Sequence, residues 1–85
     1  MKKRPPSRPR RLTEHRFTVV IEPCAEGGYF ADCPSLRGCH VEAETVDGAL
    51  KEMRAVVAAY VADLRETGEP IPDDEVTVTS LRVAV

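Results

Sequence analysis

The stretch CHVEAETVDGALKEM, residues 39–53, decides the fold, because the spacing of its apolar side chains changes in the middle. Through residue 43 the period is two. Cys39, Val41 and Ala43 fall on one side, and His40 and Glu42 on the other, as on a pleated strand. From Val46 onward the apolar residues recur at steps of three and four. Val46, Ala49, Leu50, Met53, Val56, Val57, Tyr60, Val61 and Leu64 form one stripe of an amphipathic helix, with Lys51, Glu52, Arg54, Asp63 and Arg65 off it. Thr45 stands where an N-cap belongs, and Asp47 sits in the first turn, where the helix dipole favours an acid. Gly68 follows the last helical residue, and Pro70 and Pro72 prevent continuation. The spacing predicts a helix of about six turns, long enough to cross three or four strands.

Upstream, two further segments alternate. In residues 16–22, Phe17, Val19 and Ile21 share a face opposite Thr18, Val20 and Glu22. In residues 29–33, Tyr29, Ala31 and Cys33 oppose Phe30 and Asp32. Gly27-Gly28 supplies a turn between them, and Pro34, which has no N–H for a ladder, ends the second. Short connections make these three strands an antiparallel meander. Downstream, residues 76–85 read as a fourth strand. Val76 and Val78 have one parity, Leu81, Val83 and Val85 the other, and the phase slips at Thr79-Ser80. A bulge or bend there restores one buried face; alternatively, the last residues leave the sheet to pair with another subunit. The predicted fold is α+β: a two-layer β-β-β-α-β domain with one helix packed on one face of the sheet.

Eighty-five residues allow one domain with a marginal core, so self-association or a partner is expected, with a homodimer or homotetramer as the assembly. No apolar run is long enough to span a membrane. The start Met1-Lys2-Lys3-Arg4 lacks a following apolar segment, so the expected location is the cytoplasm. Three cysteines, Cys24, Cys33 and Cys39, do not suit a disulfide framework or a zinc site with only His15 and His40 nearby; they read as small apolar fillers. Neither a metal nor a cofactor is expected.

The net charge of −2 hides a segregation. Residues 1–11 carry Lys2, Lys3, Arg4, Arg8, Arg10 and Arg11 and no acid; the remainder carries 14 acids against six bases, a net −8. With Pro5, Pro6 and Pro9 and almost nothing apolar, residues 1–15 read as a disordered basic arm, and residues 16–85 as the folded domain. The arm is either a nucleic-acid contact or a solvated tail. The acidic domain favours a basic partner.

The ordered set Tyr29-Phe30-Ala31-Asp32-Cys33-Pro34-Ser35-Leu36-Arg37-Gly38-Cys39-His40, then Glu44-Thr45, the helix, and Gly68-Glu69-Pro70-Ile71-Pro72, resembles the HicB-like antitoxin family over residues 16–85. In the turn, Leu36 can plug the core edge, Gly38 permits the reversal, and Cys39 can point inward. Arg37, Ala43, Glu44 and Gly48 depart from the family's usual residues. The resemblance implies a partial RNase H-like fold and a small basic HicA-type ribonuclease toxin as partner, whose active surface the antitoxin covers. Family members often carry a C-terminal DNA-binding segment, which has no counterpart before Val85.

Three functions compete. The first is a toxin-binding antitoxin, with Tyr29, Phe30, Asp32, His40 and Glu42 as candidate interface residues. The second is an orphan regulator that contacts nucleic acid through Lys2, Lys3, Arg4, Arg8, Arg10 and Arg11. The third is a metal-dependent nuclease. It would require converging carboxylates, and Glu22, Asp32 and the more distant Glu42 are the nominees. Cys39 and His40 point to opposite faces and make no nucleophile–base pair. A non-catalytic binding module is the expectation.

Overall fold

The computed structural model describes residues 14–85. The basic residues of the proposed arm lie outside them. Three strands, β1 (Val20–Pro23), β2 (Tyr29–Asp32) and β3 (His40–Ala43), form an antiparallel sheet in the order β1-β2-β3, followed by helix α1 (Val46–Thr67). The architecture is α+β, as the change of period predicts.

The first hairpin closes with a Cys24 N–H to Gly28 carbonyl bond of 2.9 Å. Gly28 has φ +79°, and a Cβ on it would lie 3.0 Å from the Ala43 carbonyl oxygen of β3. Both the backbone conformation and the close approach require glycine there. The second connection is a compact turn. Leu36 donates to the Cys33 carbonyl and Cys39 to the Leu36 carbonyl, and Cys33 N–H reaches the Cys39 carbonyl at 3.0 Å. These bonds hold Leu36 inward, where it is fully buried.

β1 is shorter than the alternation from residue 16 predicts. The register pairs Val20 with Asp32, so continuing it sets Thr18 opposite Pro34, which has no amide hydrogen to offer. The ladder therefore stops, although Phe17 and Val19 still pack against the core.

Helix α1 starts and stops as its sequence predicts. The Thr45 side chain accepts the Gly48 N–H at 2.9 Å. At the other end Gly68, at φ +75°, donates to the Arg65 carbonyl at 3.2 Å, and Glu69 donates to the Leu64 carbonyl at 2.8 Å. The helix lies over β2 and β3. Ala49 and Met53 are fully buried against Ala31, Cys33, Leu36 and Cys39, with Val56, Val57 and Tyr60 half-buried around them. The predicted stripe is wider than the buried one. Val46 and Leu50 stay 46% and 42% exposed, because no element covers the flank of the helix on which they stand.

The fourth strand is a correction. Among the described residues, no strand follows the helix. Residues 69–75 return to the start of β1, and from there the chain runs on without a ladder. Val78, Leu81, Val83 and Val85 are 76%, 85%, 70% and 118% exposed. The alternation of this segment is a capacity for pairing, and among the described residues nothing takes it up: β1 and β3 each keep one edge unpaired by them.

Candidate protein-binding interface

The antiparallel register sorts the sheet residues into two faces. Toward the helix lie Ile21, Ala31 and Val41, with Pro23, Tyr29 and Ala43 in the next row. Among the described residues no element covers the opposite face, which presents two cross-strand rows: Val20, Asp32 and His40, and Glu22, Phe30 and Glu42. Four of the five residues singled out from the sequence, Phe30, Asp32, His40 and Glu42, therefore meet on one surface. Tyr29 does not join them. Its parity is that of Ala31, and it sits half-buried on the helix side at the hairpin end, beside Cys24, Gly28 and Ala43.

Phe30 and His40 are diagonal neighbours across β2 and β3. Their rings stand 5.5 Å apart between centroids with planes inclined by 32°, within the range in which such diagonal pairs stabilise a sheet. Every charged residue in the two rows is acidic: Glu22, Asp32 and Glu42. The result is an aromatic pair with carboxylates around it and no lysine or arginine in either row. Glu22 belongs to this surface as much as the four residues above, and its place follows from the pairing of Val20 with Asp32.

Glu22 and Asp32, the nominated metal-binding pair, occupy different rows. Among the described residues no group of three or more His, Cys, Asp or Glu side chains is placed to hold a metal ion. Cys33 and Cys39 are buried free thiols, and Cys24 is half-buried. Burial pushes the Cys33 and Cys39 thiols above their ordinary pKa, which keeps them protonated and poorly nucleophilic. His40, the next residue, is exposed on the other face.

One tertiary contact has no local signal in the sequence. The Asp74 carboxylate accepts the Thr18 hydroxyl at 2.7 Å and the Ser35 hydroxyl at 2.8 Å. These two bonds, with Arg16 nearby, hold the Asp74 carboxyl below the usual carboxylate range. Asp74 thus pins the chain leaving the helix to the sheet end through the Thr18 and Ser35 hydroxyls. Among the described residues no helix is long and apolar enough to cross a membrane.

No family model matches the chain. Among curated proteins, a UPF0150 protein of Synechocystis sp. is 31% identical over 71 residues, spanning 84% of this chain and 90% of the relative. A second Synechocystis UPF0150 protein is 30% identical over 67 residues, 79% of this chain and 92% of its own length. A UPF0150 protein of Thermoplasma acidophilum is 33% identical over 66 residues, 74% of this chain and 96% of the relative. With this identity across nearly the whole length of each relative, the chain belongs to the UPF0150 family.

Proposed function

We propose that this protein is a HicB-like antitoxin, a non-catalytic module that neutralises a small basic HicA-type ribonuclease by laying its uncovered sheet face over the toxin's active surface. The observation that carries the reading is the composition of that face. Phe30 and His40 provide an aromatic anchor, and Glu22, Asp32 and Glu42 provide a ring of one charge. Aromatic residues concentrate binding energy at interfaces, and a single-sign rim speeds and selects encounter with the opposite sign. A nuclease that holds RNA phosphates presents the positive surface that such a rim complements. The ordered resemblance over residues 16–85 supports the same partner.

The test is co-expression with the product of the neighbouring small gene, with the complex sized by light scattering at low and high salt. A growth-neutral, stoichiometric complex with a basic protein that is toxic alone is the expected result. Association should weaken as salt rises, and Phe30→Ala with Glu42→Lys should abolish it while the helical circular dichroism is retained. A complex that survives this double variant, or a neighbour that neither binds nor harms cells, would sink the reading.

The charge run Lys2, Lys3, Arg4, Arg8, Arg10 and Arg11 supports a second reading, an orphan regulator that contacts nucleic acid through these residues. Deleting residues 1–11 should then remove any RNA or DNA shift, and an unchanged shift would eliminate this reading.

A further inference from the structure

The domain leaves two complementary features unsatisfied in one chain. The first is an apolar groove of about 370 Å³ between the flank of α1 and residues 15–19, the segment that leads into β1. Phe17 and Val19 line it from the sheet side, and Leu50, Val57 and Val61 from the helix. The helix lies over β2 and β3, and among the described residues no further element covers this margin. The second feature is the chain end. Val76 is still half-buried, but Val78, Leu81, Val83 and Val85 are all exposed, and their backbone joins no ladder.

We propose that residues 80–85 form an arm that adds as a fourth strand to the β1 edge of a second copy of this chain, whose own arm adds in return. Three observations support a second copy as the occupant. Leu81, Val83 and Val85 share one parity, so a strand laid along β1 and the segment before it turns all three to the groove side. Arg82 then takes the opposite parity and falls on the outer face, where β1 presents Glu22, the arrangement of a favourable cross-strand pair. The root of the arm is also fixed: the bonds of Asp74 to Thr18 and Ser35 hold the chain at the end of the sheet, and beyond it the segment runs outward instead of folding back onto its own β1. An arm and a groove on the same chain form a self-complementary pair, which closes as a two-fold dimer. The change of alternation phase at Thr79-Ser80 marks where the segment passes from its own domain to the partner's.

The experiment is light scattering on the full chain together with five variants. Wild type should show twice the 9.4 kDa chain mass. An arm variant, Leu81→Asp with Val83→Asp, should halve the mass while the helical circular dichroism is unchanged. A groove variant, Leu50→Asp with Val61→Asp, should do the same, and mixing the two should restore part of the dimer, because one arm–groove pair in the mixed species is intact. Arg82→Glu should weaken the dimer, and adding Glu22→Arg to it should recover the loss. A monomeric wild type would overturn the proposal, and so would a dimer indifferent to the arm substitutions. A dimer lost only with Phe30→Ala would also overturn it, by placing self-association on the outer sheet face. Each readout concerns the chain alone, so the result stands apart from the identity of any toxin.

Discussion

Alanine at position 28 should destabilise the protein by more than alanine at position 68, and the difference isolates one contact. Both glycines hold nearly the same left-handed backbone, φ +79° and +75°. A side chain in that conformation costs about 1–2 kcal/mol, so Gly68→Ala, with nothing within 4 Å of the new Cβ, should lose roughly 1 kcal/mol. Gly28→Ala bears the same conformational cost and adds a Cβ 3.0 Å from the Ala43 carbonyl oxygen. That oxygen is backbone, in the residue paired with Tyr29, so relief requires moving β3 against β2. Overpacking of this kind adds about 1–3 kcal/mol, for a total of roughly 2–4 kcal/mol. A domain of this size has only about 5 kcal/mol or little more to lose, so the Gly28 variant should be partly unfolded without denaturant. Urea titration followed by circular dichroism at 222 nm (a conventional helix wavelength, about one probe for the whole helix), at one fixed protein concentration, measures both variants. Equal losses, or a larger loss at Gly68, would refute the claim that the hairpin packs tightly against β3.

Three other outcomes follow from the described contacts. Thr45→Ala removes the acceptor for the Gly48 N–H and should cost about 1 kcal/mol in the same titration, whereas Thr45→Ser should lose little; an unchanged midpoint in the alanine variant would show that the cap contributes nothing. The Asp74 carboxyl titrates below its ordinary value of 3.8 in the folded protein, so the stabilisation by its bonds is complete above that value and is lost as pH falls through the lower folded value. The urea midpoint should therefore fall as the pH drops below 3.8 in the wild type; Asp74→Asn should show less of this response, and an identical pH profile in the two proteins would disprove the clasp. Finally, thiol labelling of the native chain at mildly alkaline pH should modify Cys24 well before Cys33 and Cys39, whose burial raises their pKa. Equal rates for all three would contradict the packing.

The parts of the fold that could be read from the sequence are those with a local cause. The Thr45 cap, the helix and its end at Gly68 each follow from residues within a few positions of one another, and the buried line through Ala49 and Met53 follows from their spacing. The inward turn at Leu36 is equally local, fixed by bonds that span no more than the residues 33–39. The fourth strand failed because alternation describes what a segment can pair with, not which chain supplies the partner. Asp74 was missed for a related reason: it reaches Thr18 across 56 positions, and a lone aspartate after a proline-rich turn carries no pattern. At the candidate interface, parity alone groups Phe30, Asp32, His40 and Glu42 within their strands, but only the register shows that Glu22 shares a row with Phe30 and Glu42. Tyr29 was grouped with Phe30 by its chemistry, and the pleat puts the two on opposite faces.

The placement of the helix over β2 and β3, rather than over the whole sheet, also shapes how the chain acquires its structure. The fully buried residues all fall between Ala31 and Met53, so the core assembles from neighbours along the chain. Low contact order of this kind favours rapid folding. The long loop that Asp74 closes onto Thr18 is a later event, since its entropy is recovered only once both anchor points exist. The core thus closes through short loops, and the last residues are fixed through a long one. Closure of the core is unimolecular and independent of concentration, whereas any pairing of chain ends between copies would depend on it.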